Sequence, residues 1–293
     1  MRKIEGLVLL VSVLLLVLLP ACQSPVASNS SFQDVYVHVR ASWSPDGRTI
    51  AYTSYVQNAT GIYVMDSLGG NIKQVYNGEG VGVNWSPDGK WLAFSQGGIL
   101  YKIKPTGDSL TTLADAVGAI RPSWSPNGSK IAFVQQSPGV GIWMYDVKSG
   151  LSTQFLTYGD FPSWNPLTGE LVALNSQFDQ NTGYTYYSYV AVDTASVVRT
   201  IGSFATASDC GFSPMSPKGD KIVLGVKGSN DYAEVWVLDL IQRTITQLTS
   251  DGGDYPSWSP DGTRIVYTRT QPGDGGLWVM NLDGSNKRRL TKP

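Results

Sequence analysis

The sequence predicts an all-β fold, a six-bladed β-propeller of four-stranded antiparallel blades, on three observations. A phrase built on Trp-Ser-Pro-Asp-Gly recurs along the 293 residues. Its copies are separated by 39 to 51 residues, and units of about 40 to 45 residues with four strands each are the mark of propeller blades. Every copy is followed by further short apolar strands joined by turn residues, with no sustained helical period.

The phrase itself encodes strand, tight turn, strand. In "NWSPDGKWLAFSQ", Pro87 fixes φ at the value a type I turn needs at its first central position, and Gly89 accepts the positive φ that follows. Trp91 to Phe94 then supply an apolar run suited to a buried strand. "SWSPDGRTIAY" at 42–52, "SWSPNGSKIAF" at 123–133 and "SWSPDGTRIVY" at 257–267 repeat this pattern. "SWNPLTGELVAL" and "MSPKGDKIVL" are divergent copies. The anchors are Trp43, Trp85, Trp124, Trp164, Met215 and Trp258, which gives six units. Each anchor is expected to lie buried between adjacent blades. Residues 34–39 are expected to open the inner strand of blade one, with no strand exchanged between the ends of the ring.

Three segments follow in order. Residues 1–21 read as a signal peptide: Arg2 and Lys3 precede an apolar run from Leu7 to Leu19 that is too short to span a bilayer. "LPAC" at 19–22 resembles the bacterial lipobox, which implies lipid attachment at Cys22, anchoring at a membrane and an extracytoplasmic location. Residues 22–33 are then a polar tether, and 34–293 the propeller.

The spaced Trp-Ser-Pro-Asp-Gly copies resemble the propeller of the TolB family, whose blades carry a Pro-x-Trp-Ser-Pro-Asp-Gly signature. The resemblance implies the fold, and a channel that receives segments of partner proteins. TolB also has an α/β domain before its propeller, for which the sequence leaves no room, so roles tied to that domain are not carried over.

Other chemistry finds little support. Net charge is −1 and no basic stripe appears, which argues against nucleic acid. His38 is the only histidine, and it stands in an alternating strand, so neither a nucleophile–His pair nor a His-rich metal site can be assembled. Neither catalytic nor metal-ligating residues are assigned, and no cofactor is expected beyond calcium as an option in the channel. The turn carboxylates Asp46, Asp88 and Asp261 read as amide caps, because Asn127 and Lys218 replace them in other copies.

Two groups stand out as binding residues. Asp160 and Asp254, each four before its Trp, are expected at the channel mouth with Phe161 and Tyr255; Glu79 and Arg121 join them. Such a carboxylate cluster would attract a basic peptide or a cation. The second group is the blade-four insertion with Tyr184, Tyr186, Tyr187 and Tyr189, an amphipathic contact surface. The expected function is a non-catalytic, monomeric, lipid-anchored scaffold for a cell-envelope protein or peptide. The alternative is a propeller that binds, or cleaves through paired carboxylates, an envelope glycan or small ligand.

Overall fold

The computed structural model describes residues 38–291 except 57–58, 114–117, 137–138, 194, 207–209, 212–213, 228–231 and 272, together with the backbone of Val17–Leu18. Cys22 and the tether lie outside the described residues. The fold is all-β, with six four-stranded antiparallel blades and no helix among the described residues.

A two-residue strand, β1 (Val17–Leu18), runs parallel to the outer strand of blade four. Blade one is β2 (His38–Trp43), β3 (Thr49–Val56), β4 (Ala59–Asp66) and β5 (Lys73–Asn77). Blade two is β6 (Val81–Trp85), β7 (Leu92–Gln96), β8 (Ile99–Ile103) and β9 (Thr111–Leu113). Blade three is β10 (Ala119–Trp124), β11 (Lys130–Gln135), β12 (Gly141–Asp146) and β13 (Ser152–Leu156). Blade four is β14 (Asp160–Trp164), β15 (Leu171–Asp179), β16 (Tyr184–Val192) and β17 (Val198–Thr206). Blade five is β18 (Cys210–Gly211), β19 (Lys221–Lys227), β20 (Ala233–Asp239) and β21 (Thr244–Gln247). Blade six is β22 (Asp254–Trp258), β23 (Arg264–Arg269), β24 (Gly276–Asn281) and β25 (Arg288–Arg289).

Strand order within each blade follows sequence order, so each blade keeps its own four strands. Among the described residues no strand pairing joins blade one to blade six; they meet through packed side chains and a bond from the Arg288 guanidinium to the Leu68 carbonyl. Trp43, Ile50, Tyr52 and Met65 of blade one pack with Val266, Leu277, Val279 and Leu290 of blade six. The other five cores have the same construction, each joining one blade to the next. The hydrophobic driving force therefore acts between sheets around a ring, with β-branched and aromatic side chains filling each layer.

Five anchors are buried as expected: Trp43, Trp85, Trp124, Met215 and Trp258. Three indoles also reach backward to the preceding blade. Trp85, Trp164 and Trp258 donate Nε1–H to the carbonyls of Ser42, Ser123 and Pro214, each at 3.1 Å. Trp164 departs from the expectation by being only half-buried.

The turn chemistry accounts for the repeated Ser-Pro-Asp-Gly. In blade one the Gly47 amide donates to the Ser44 carbonyl at 2.9 Å, and Gly47 takes φ +70°. Asp46 Oδ1 accepts the Ser44 hydroxyl at 2.6 Å and the Arg48 amide at 3.1 Å. Asp88 and Asp261 repeat the arrangement, and Asn127 Oδ1 accepts the matching bonds from Ser125 and Ser129. An amide oxygen serves as well as a carboxylate there.

These turns also lock neighbouring blades. A Cβ built on Gly47, Gly89, Gly128 or Gly262 would lie 3.3–3.8 Å from Pro260, Pro45, Pro87 or Pro217 of the blade before it. In blade four the turn is one residue longer, and a Cβ built on Gly169 would find nothing of another blade within 4 Å. The joint between blades three and four is consequently open. A cavity of about 180 Å³ lies there, walled by Met144, Phe155, Trp164 and Leu171, which is why Trp164 retains exposure.

Candidate functional site: the inner wall of the channel

Each of five inner strands carries one extra residue relative to its partner. The register shifts between Val39 and Ser42, Val81 and Asn84, Ile120 and Ser123, Asp160 and Ser163, and Asp254 and Ser257. These are β-bulges, which re-aim a side chain that simple alternation would send elsewhere. The third residue before each Trp takes a left-handed backbone: Arg40 (φ +54°), Gly82 (+70°), Arg121 (+55°), Phe161 (+49°) and Tyr255 (+47°). For a residue with a Cβ this conformation costs about 1–3 kcal/mol, and such strain gathers at functional sites.

The inner strands enclose a cavity of about 70 Å³ to which every blade contributes: Arg40, Gly82, Arg121, Phe161, Pro214 and Ser257 line it in blade order. Its charged groups are layered on rings. The Arg121 guanidinium lies 4.2 Å from the centre of the Phe161 ring, and Arg40 lies 5.0 Å from that of Tyr255. Arg121 Nη1 also donates to both oxygens of Asp160, at 2.8 and 2.9 Å. Burial lowers the Arg121 pKa; Asp160 opposes that shift and Arg40 adds to it.

Asp254 is arranged differently. It accepts the Tyr255 amide at 2.7 Å, and its Oδ1 fills the space that a Cβ would need at Gly225 of blade five. Asp254 is only partly exposed, and protein surrounds most of it. That desolvation pushes its carboxyl above the usual carboxylate range, against the pull of the Tyr255 amide and of Arg40.

The sequence expectations meet this geometry unevenly. Asp160, Phe161 and Arg121 are brought together, and Asp254 and Tyr255 lie at the equivalent place in blade six. They do not form a carboxylate cluster: Asp160 is engaged by Arg121, and Asp254 is turned toward blade five. Glu79 is exposed in the linker between blades one and two, outside the cavity wall. Among the described residues no group of three His, Cys, Asp or Glu could hold a metal ion. Tyr184 and Tyr186 remain half-exposed on the extended β15–β16 hairpin, beside Phe178, which is 61% exposed. Tyr187 and Tyr189 are core residues, buried with Phe204 and Met215 between blades four and five, so these two do not offer contact surface.

Arg40 was missed. The sequence signal for it is the column three before each Trp, where Arg40, Gly82, Arg121, Phe161 and Tyr255 align. Asp160 and Asp254 mark the column one step earlier.

Fold and channel together define a six-bladed β-propeller, and the comparisons make it similar to that of TolB. The family model described as the TolB beta propeller domain matches residues 29–168. The uncharacterized protein Atu1656 of Agrobacterium fabrum is 29% identical over 193 residues, 59% of this chain and 62% of that protein. The Tol-Pal system protein TolB 1 of Novosphingobium aromaticivorans is 40% identical over 53 residues, 17% of this chain and 11% of that protein. The chain thus spans less than two thirds of the curated relatives it matches. The crystal structure of TolB from Acinetobacter baumannii aligns with a TM-score of 0.60 at 18% identity, covering 86% of this chain and 62% of that one. Kuenenia stuttgartiensis hydrazine synthase aligns at 0.61 and 14% identity, covering 89% and 81%. At such identities the likeness is one of fold, which hosts unrelated activities.

Proposed function

We propose that the chain is a non-catalytic binding scaffold of the cell envelope, held at a membrane by lipid on Cys22, whose channel takes a segment of an envelope protein. The observation that carries this reading is the inner wall. Its bulges hold Arg40, Arg121, Phe161 and Tyr255 in strained backbone conformations at matching positions of four blades, and the first three line the cavity. Strain sustained at matching positions, with arginines layered on aromatic rings, is a preorganised recognition surface of the kind that anchors interfaces. The TolB-like character of the propeller supports a protein ligand over a glycan. So does the ion pair that occupies Asp160, because a carboxylate engaged by arginine is poorly placed as a general acid or base.

The test is crosslinking and affinity capture of the lipid-anchored protein from its native envelope. Wild type is compared with a Phe161→Ala variant whose folding is confirmed by circular dichroism. Capture of one defined protein by wild type, reduced in the variant, is the expected result. No specific capture by the folded wild-type protein would overturn the reading.

A further inference from the structure

We propose that the segment taken up is acidic: a peptide carboxylate binds between Arg40 and Arg121 in the channel. This rests on the channel being the binding site, and it replaces the basic ligand or calcium ion that the sequence led us to expect.

The unused donors point to an anion. Arg40 makes no hydrogen bond or ion pair among the described residues; its guanidinium only covers the Tyr255 ring. A guanidinium carries five N–H donors in a planar fork, so a whole fork is unassigned in a confined cavity. Arg121 contributes a second shortfall. Its Nη1 is spent on Asp160, but its Nε is buried with no acceptor. A buried donor left without an acceptor destabilises the unliganded state, so an acceptor supplied by a ligand is favoured there.

The charges agree. Two guanidinium groups stand near enough for Arg40 to depress the Arg121 pKa. One carboxylate, Asp160, pairs with Arg121. Asp254 acts on Arg40 only at longer range, because it is turned toward Gly225 and held by the Tyr255 amide. Two arginines and two aspartates thus share the wall, but Asp160 is held by Arg121 and Asp254 is turned toward blade five, so Arg40 keeps its fork unpaired and a divalent cation would meet it. A carboxylate fits the opposite way: its two oxygens match the guanidinium fork, and the aromatic rings behind fix the plane of each fork. The cavity of about 70 Å³ has room for a carboxylate beside Arg40 and Arg121. That carboxylate belongs either to an Asp or Glu side chain or to a C-terminus.

The experiment uses purified protein and three fluorescein-labelled pentapeptides, read by anisotropy in low-salt buffer. The first is Ala-Glu-Ala-Glu-Ala with an amidated C-terminus, the second its Gln counterpart with the same amide, and the third the Gln peptide with a free C-terminus. At least about tenfold tighter binding of the first or the third over the second is expected, since hydrogen bonds to charged groups are the strong ones. Which of the two wins identifies the source of the carboxylate. The preference should fall in 0.5 M salt, and Arg40→Gln should remove it. Arg40→Gly provides a second variant that relieves the left-handed strain, as Gly82 does in blade two, and it should lose the same preference. Equal binding of all three peptides, tighter binding of a lysine peptide, or an unchanged preference in both variants would each overturn the proposal. If wild type and Arg40→Gln capture the same envelope protein equally, the scaffold reading stands and the carboxylate site falls. Arg40-dependent acidic binding without any envelope capture has the reverse meaning.

Discussion

Replacing Trp258 and Trp164 separately by Ala turns the joints between blades into a measurement. Both indoles donate to a carbonyl of the preceding blade at 3.1 Å, so the lost hydrogen bond is the same, worth about 1 kcal/mol. The difference lies in burial. Trp258 is 6% exposed, between Val223 and Val237 of blade five and Ile265 and Met280 of its own. Its removal leaves a closed cavity in a dry core, and a loss of about 3–5 kcal/mol follows. Trp164 already borders the open cavity of about 180 Å³, so its removal enlarges a space that water reaches. Part of its apolar surface is exposed from the start, and its loss should be about half as large. Urea unfolding followed by far-ultraviolet circular dichroism, which does not depend on tryptophan emission, gives both values. Equal losses, or a larger loss for Trp164→Ala, would refute the argument that the lengthened blade-four turn opens this joint.

Further outcomes follow from the same contacts. Asp254→Asn keeps an oxygen for the Tyr255 amide and removes the desolvated charge. The folded pKa of Asp254 is raised above its unfolded value, so its ionised form weakens the fold as pH rises from the unfolded pKa through the folded one. The variant should therefore melt higher than wild type at pH 7, with the gain vanishing near pH 4, in thermal scans across that range. The turn residues Asp46, Asp88 and Asp261 have lowered pKa values, first because a serine hydroxyl bonds each carboxylate. Their stabilisation is present above the unfolded pKa and lost as pH falls through the folded values. Asp88→Asn should be nearly neutral at pH 7, since Asn127 makes the matching bonds, while Asp88→Ala should cost about 1 kcal/mol in urea titrations. Trp43→Phe should cost less than Trp85→Phe under the same assay. The Trp43 indole N–H is buried without a partner, whereas that of Trp85 bonds Ser42.

How far the sequence was legible depends on what repeats in it. The Trp column and the Ser-Pro-Asp-Gly turn recur with fixed chemistry, so blade number, strand order and the buried anchors could be read directly. Trp164 shows the limit. Its partial exposure stems from one added turn residue between Trp164 and Gly169, which breaks a contact with Pro126 of another blade; no local propensity records that. The channel wall was half legible. Asp160 and Asp254 drew attention because acidic residues stand out in a strand, but the bulge one residue later decides what faces the axis. That bulge has no composition signal, since Arg40, Arg121, Phe161 and Tyr255 all adopt positive φ without being glycine. The tyrosines of blade four sort by strand alternation: Tyr187 and Tyr189 point into the core, Tyr184 and Tyr186 to the other face.

Among the described residues the ring closes without exchanging a strand, which has a consequence for how the chain can be rearranged. Every blade is continuous in sequence, so the joint between blades six and one is made like the other five and no joint is privileged. New termini placed in any interblade linker, with the old ends joined, would leave all six cores and all five observed bulges in place. A ring laced by a shared strand could not be cut so freely. By the same logic a whole unit can be duplicated or lost between two joints with no lacing strand to restore, and the blade-four turn shows how such a joint loosens when its Gly–Pro contact is not kept.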